Sequence, residues 1–254
     1  MAPIHLGDIA GHRLPHAVAA APLAILPAGS IEYHGPHGPL GTDLYLAEVL
    51  AARVAERLGG LLLPVIPFSH CPSATRTYRG TIDIAEHTLS AYVGDVIAGV
   101  FAMDIRGVLV LNAHDGNIRP VQTAADRLAA RYPDRFLLMV NWWETLAAAE
   151  MEARGLFTID GGHGHGGPLE MSAADAARPG SVDWGAAIDL DVILSPGEQI
   201  VRGVHEGRSL PNWQGYHGRS TEGSRGKGDL LLGIAVERIV KLTQDWIDEL
   251  QRSQ

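Results

Sequence analysis

The strongest constraint on the fold is an alternation, along all 254 residues, of short apolar runs with longer amphipathic stretches. Residues 23–26, 61–67, Gly107–Asn112 ("GVLVLN") and 136–140 read as strands. Between them, residues 44–58 carry apolar side chains at helical spacing on Leu46, Val49, Leu50 and Val54. Helical patterns also cover 85–103, 118–132, 142–154 and 229–250, the last through Leu231, Ile234, Ile239, Leu242 and Trp246. Strands that are apolar on both faces, alternating with helices of about 12–20 residues, predict a mostly parallel central sheet covered on both sides. The expected fold is α/β with three αβα layers. No repeat, low-complexity tract or linker interrupts the pattern, so residues 1–254 are expected to form one domain.

In such sheets the ligand site lies beyond the carboxyl ends of the strands. The chain concentrates imidazoles and carboxylates in loops there. After the first strand, "PAGSIEYHGPHGPLGTD" carries Glu32, His34, His37 and Asp43. After "GVLVLN" comes "NAHDGN" with His114. Further on, "DGGHGHGGPLEMS" carries His163, His165 and Glu170. In an extended segment residues two apart face the same way, so Glu32 and His34 can reach one point. The Gly/Pro-rich stretch that follows can bring Asp43 back over them.

Each residue also has a plainer reading. Asp43 precedes a helix and could cap it, Glu170 could do the same, and His114 could be a hydrogen-bonded turn residue. The His/Gly loop could be solvated. Their collection at strand ends favours a shared site. Nitrogen and carboxylate oxygen donors without thiolate suit one or two Zn, Mn or Fe ions, two being bridged by one aspartate. Such a centre activates water against a carbonyl, which implies hydrolysis of a C–N or similarly activated bond.

The same segments resemble the creatininase family, whose first motif reads approximately P-x-G-S-x-E-Q-H-G-P-H-L-P-L-x-T-D. "RTYRGTIDI" from Arg76, "NAHDGN" and "HGGPLEMS" from His165 are similar to its next three motifs, in order. The resemblance implies a creatininase-like α/β fold, a hexamer and a small-molecule substrate. By position, Glu32 and His114 would be ligands of one metal, His34 of the other, and Asp43 the bridge. His165 would move a proton, Glu170 would act at the site or as a ligand, and Tyr33 and Asn117 would contact substrate or orient the loop. Departures are Tyr33 for Gln, Gly38 for Leu, Pro168 for the first Glu of the fourth motif, and Met171 for Thr. At Gly116, creatininase proper has a further glutamate ligand. A small linear or cyclic amide is the expected substrate. A cyclic ketone, a peptide, or metal binding without catalysis are the alternatives.

Bulk properties narrow the partners. Hydrophobic residues make up 46% and charged residues 19%, which excludes a disordered chain. The net charge of −9, with no basic cluster, argues against nucleic acid or an anionic membrane as partner. No apolar run is long enough for a membrane span. Cys71 is the sole cysteine, and no basic n-region precedes a long apolar core at the N-terminus, so a cytoplasmic protein is expected. Cys71 reads as a packed thiol, and His5, His12 and His16 as solvated residues of an irregular arm. His205 and His217 lie in a Gly-rich C-terminal stretch that could be an active-site or subunit-interface loop, and Trp142, Trp143 and Trp213 read as core or interface aromatics in preference to a pocket wall.

Overall fold

The structure, a computed structural model, describes residues 3–72, 74–190 and 214–252. Five parallel strands form one sheet: β1 (Ile4–His5), β2 (Ala24–Ala28), β3 (Leu61–Leu62), β4 (Gly107–Asn112) and β5 (Phe136–Asn141), in the order β1-β3-β2-β4-β5. The helices are α1 (Leu14–Ala20), α2 (Thr42–Leu58), α3 (Glu86–Ala102), α4 (Ile118–Arg131), α5 (Ala148–Ala153), α6 (Pro168–Ala177) and α7 (Arg225–Arg252). His205 and Trp213 lie outside the described residues.

Side-chain alternation along the strands divides the core in two. Ile25, Leu109 and Leu111 point to one face, where Leu46, Leu50 and Val54 of α2 meet Leu169 and Ala173 of α6 and Leu231, Ala235 and Ile239 of α7. Ala24, Leu26, Val108 and Val110 point to the other, packed under Leu89, Val93 and Ile97 of α3 and Val121, Ala124 and Leu128 of α4. This is the three-layer αβα arrangement expected from the doubly apolar strands.

From β2 the chain runs through α2 to β3 on one side, then through α3 on the opposite face to β4 on the other side. The order therefore reverses between β2 and β4, which pair from Ala24↔Val108 to Ala28↔Asn112. That reversal opens a crevice at the carboxyl ends of these two strands.

Several boundaries differ from the sequence reading. The 61–67 run shortens to Leu61–Leu62 plus one bridge between Ala28 and Ile66, because Pro64 and Pro67 offer no amide hydrogen to a ladder. The 142–154 stretch is a 3₁₀ turn, Trp142–Thr145, followed by α5. Leu146 and Ala147 break it with non-helical backbone angles, and Thr145 donates its hydroxyl to the Trp142 carbonyl at 2.6 Å. α7 starts four residues earlier than its apolar pattern, and Leu242 is exposed. The N-terminal arm contains the edge strand β1 and the helix α1, while His5, His12 and His16 are exposed. Trp142 is buried in the core.

Candidate metal centre

The loop leaving β2 passes over the sheet end and enters α2. Its ends are fastened at Glu32 N–H to Leu40 C=O, 3.0 Å, and at Gly29 N–H to Ile66 C=O, 3.0 Å. α2 begins two residues before its apolar pattern, with Gly41 at the cap position. Asp43 thus lies inside the first turn rather than capping it, and its carboxylate faces the partial positive charge of the helix start. Glu32, His34, Asp43 and His114 are all buried, which a chain tolerates for charged groups only when they are paired or ligated.

Here they are paired with one another. Asp43 Oδ1 lies 3.1 Å from His34 Nε2, and its Oδ2 lies 3.0 Å from His114 Nδ1. Glu32 Oε1 is 3.0 Å from the same His114 nitrogen and 3.5 Å from His165 Nδ1. Glu170, in the first turn of α6, brings Oε2 to 3.6 Å from His34 Nε2. The two oxygens of Asp43 therefore join two sides, Glu32–His114 and His34–Glu170. Ser30 steadies the bridge by donating to Asp43 Oδ2 at 2.7 Å.

The outward nitrogens settle the tautomers. His34 Nδ1 faces the Glu32 carbonyl at 3.0 Å, His114 Nε2 the His70 carbonyl at 2.8 Å, and His165 Nε2 the Tyr33 carbonyl at 2.7 Å. A carbonyl only accepts, so each of these nitrogens carries a proton and the other turns inward. Three imidazoles thus aim Nε2 of His34, Nδ1 of His114 and Nδ1 of His165 at the carboxylate cluster.

Electrostatics follow from this crowding. Burial opposes charge on His34, but the Asp43 and Glu170 carboxylates outweigh it and raise the imidazole to about 10. His114 also rises well above its ordinary value against burial, through Glu32 and Asp43. Burial works against ionised Glu32 too, yet His114 and then His165 hold it down at about 2. Asp43 is held below the usual carboxylate range by His34 and His114, again against burial. Burial dominates at the two remaining groups, pushing Glu170 up to about 7 and His165 down.

The donor chemistry fits divalent metal. Donor atoms lie within 4.8 Å of one another in three sets: Glu32, His34 and His165; His34, Asp43 and Glu170; and Glu32, Cys71 and His114. With no ion the imidazoles must take up protons to sit beside the carboxylates, whereas a cation would replace those protons and satisfy the same lone pairs. All six residues singled out from the sequence for metal or proton chemistry therefore meet in one place.

Other candidates go elsewhere. His163 bonds the Leu146 carbonyl at 2.6 Å, and His37 packs edge-on against Tyr216, with ring centroids 4.9 Å apart. The ring of Tyr33 is stacked on Tyr78, centroids 4.3 Å apart. Asn117 is buried under the loop, donating to the Gly29 backbone carbonyl at 3.2 Å and to the Asn112 side-chain Oδ1 at 3.0 Å, and accepting from the Ser69 hydroxyl at 2.5 Å. Asp115 is exposed. Gly116 is pressed against the His70 carbonyl so closely that an added Cβ would stand 1.9 Å from its oxygen. No side chain fits there, so the carboxylate nearest His34 besides Asp43 comes from Glu170.

Sequence reading missed Ser30, Thr75, Asn112 and Cys71 as neighbours of the cluster. Asn112 accepts the His114 N–H at 3.1 Å and donates to Asn141 at 2.8 Å, tying the ends of β4 and β5. Cys71 is buried with Sγ 3.8 Å from His114 Nε2. Ser30 and Asn112 stood inside motifs and could have been found there. Thr75 and Cys71 had no local signal.

Several known proteins are similar to this chain in sequence and fold. Creatinine amidohydrolase of Pseudomonas putida is 24% identical over 250 residues, spanning 93% of this chain and 94% of that protein. A mycofactocin precursor peptide peptidase of Mycobacterium tuberculosis is 26% identical over 259 residues, 96% of this chain and 92% of the peptidase. An Mn form of creatininase superposes with a TM-score of 0.80 at 22% identity, covering 96% of this chain and 99% of that one, which establishes the shared fold. The creatininase (creatinine amidohydrolase) family matches residues 9–243, and the chain belongs to that family of hydrolases.

Proposed function

We propose that this protein is a metal-dependent hydrolase that opens a C–N bond in a small linear or cyclic amide. The observation that carries the reading is Asp43, whose two oxygens each face a different inward imidazole. Glu32 and His114 would hold one divalent ion (Zn, Mn or Fe), His34 and Glu170 a second, with Asp43 between them. Bound there, such ions lower the pKa of water and polarise a substrate carbonyl.

The protein's own groups supply the rest. His165 is 23% exposed, and its Nε2 proton is committed to the Tyr33 carbonyl. Its Nδ1 is left to accept a proton at the centre and return it to the departing nitrogen. Burial keeps this imidazole neutral at rest, as a proton acceptor requires. Glu170 accepts the Gly166 N–H at 2.7 Å, which fixes the carboxyl toward His34. Asn117 orients the loop, and the Tyr33 ring, braced by Tyr78, contributes to substrate binding.

The same reading takes residues 1–254 as one cytoplasmic domain that assembles as a homo-oligomer, hexameric by resemblance. No described helix is long and apolar enough to cross a membrane. Leu40, Phe68 and Ile82, each about two-fifths exposed, are apolar groups that an interface would cover.

Chelator-stripped protein, reloaded with Zn²⁺, Mn²⁺ or Fe²⁺, should hydrolyse members of a panel of formamides and cyclic amides. His165→Ala should lose that activity while keeping its metal. A loaded protein that cleaves nothing in the panel would mean metal binding without catalysis. A peptide substrate is the second reading, favoured by the match to the peptidase over 96% of the chain. Faster cleavage of peptides than of any small amide would install it.

A further inference from the structure

The segment from Ser69 to Ile84 gives no carboxylate or imidazole to the cluster, yet it grips one side of it from behind. Thr75 is buried and donates its hydroxyl to Glu32 Oε2 at 2.7 Å. That leaves Oε1 as the oxygen facing His114 and His165. The His70 carbonyl receives the outward N–H of His114 at 2.8 Å. Both outward atoms on the Glu32–His114 side are thus held by this segment.

The segment is itself clamped. Asp83 Oδ1 accepts the Cys71 N–H at 2.9 Å and lies 3.1 Å from His70 Nδ1, which fixes the turn that presents the His70 carbonyl. Arg76 Nε lies 3.4 Å from the other Asp83 oxygen. Thr81 accepts the Tyr33 N–H at 3.0 Å and donates to the Thr75 carbonyl at 3.0 Å, locking Thr75 in register with the loop that carries Glu32.

We propose that Thr75 and Asp83 are positioning residues for the Glu32–His114 side of the metal centre. Thr75 makes Glu32 a single-oxygen donor. Asp83, through the His70 carbonyl, keeps the His114 ring turned with Nδ1 inward. Without the Thr75 hydroxyl the buried carboxylate would rotate to satisfy its second oxygen. Without Asp83 the His70 turn would relax and the His114 ring would lose the acceptor that sets its tautomer. The inference rests on the metal reading above. It adds an asymmetry, because the His34–Glu170 side receives no contact from either residue among the described hydrogen bonds and ion pairs.

The test is Zn²⁺ binding by competition with a chromophoric chelator, for the wild type, Thr75→Val, Thr75→Ser and Asp83→Ala. Thr75→Val and Asp83→Ala should each weaken one Zn²⁺ equivalent by about 10–100-fold, the range for loss of an outer partner. A second equivalent should stay within a few-fold of wild type. Where the wild type holds a single equivalent, that one must weaken. Thr75→Ser should restore binding, and the Co²⁺ absorption spectrum should change in Thr75→Val but not in Thr75→Ser. Folded Thr75→Val and Asp83→Ala that keep wild-type affinity would overturn the inference, as would equal weakening of two equivalents. If Thr75→Val does not fold, Asp83→Ala and the serine variant carry the test. A wild type that binds no Zn²⁺ would instead overturn the metal reading, and this inference with it.

Discussion

Adding Zn²⁺ to the metal-free protein should expel protons, in a number that the geometry sets. At pH 7.5 His34, with its imidazole near 10, and His114, well above its ordinary value, both carry the inward proton. Each must release it to bind a cation, so filling both sides expels at least about two protons per subunit. Glu170, near 7, adds about a quarter of a proton at that pH and nearly a whole one at pH 6. His165, pushed down by burial, adds none. The rise of His34 from 6.5 to about 10 is a net preference for the charged imidazole on the order of 5 kcal/mol, the carboxylates' attraction less the opposing cost of burial, which the cation must overcome. Protons and metal compete, so affinity strengthens as pH rises, by roughly tenfold per unit for each ion and roughly 100-fold for the two together. Calorimetric titration in two buffers of different ionisation enthalpy counts the protons directly. Release of well under one proton at full loading, or affinity independent of pH, would show that the inward imidazole nitrogens do not hold these protons.

Further expectations bear on single residues and on pH. His165→Ala should lower kcat by about 10²–10⁴-fold with metal content unchanged, measured by steady-state kinetics beside elemental analysis. Gly116→Ala places a Cβ 1.9 Å from the His70 oxygen and 2.6 Å from His114 Nε2. It should destabilise by about 1–3 kcal/mol and lower Tm by roughly 3–10 °C in a thermal melt. Cys71→Ser should retain activity within a few-fold, because burial raises this thiol and keeps it from acting as a nucleophile. Unfolding of the metal-free protein should be hardest between about pH 4.5 and 6.5, as denaturant titrations across pH would register. His34 is raised, so its stabilisation is complete below 6.5 and is lost as pH climbs toward about 10. Glu32 is lowered, so its stabilisation is present above 4.5 and lost as pH falls toward about 2.

The parts of the fold that were legible in the sequence are those where burial writes a local period. "GVLVLN" is apolar on both faces because helices cover both sides of β4, and α2 repeats its apolar residues because one stripe meets the sheet. Glu32 and His34 were legible for a related reason, since two residues in an extended segment share a side. Where side-chain or imide chemistry overrode the period, reading failed: Pro64 and Pro67 ended β3 early, and the Thr145 hydroxyl helped break the 142–154 pattern. His163 and His165 look alike in "GGHGHGG". They diverge because one finds the Leu146 carbonyl and the other the Tyr33 carbonyl, contacts spanning 17 and 132 residues. Thr75 left no mark, because the carboxylate it holds lies on another loop, and Asp83 stood inside a quoted motif whose pattern did not reveal that it clamps the His70–Cys71 turn.

Whether Asp43 lies between two metal positions is read directly from anomalous diffraction of Zn²⁺-loaded crystals. Data at the zinc edge should give two peaks flanking the Asp43 carboxylate, one shared with Glu32 and His114 and the other with His34 and Glu170. A single peak, no peak within this cluster, or zinc bound only elsewhere on the protein would rule out a bridging Asp43.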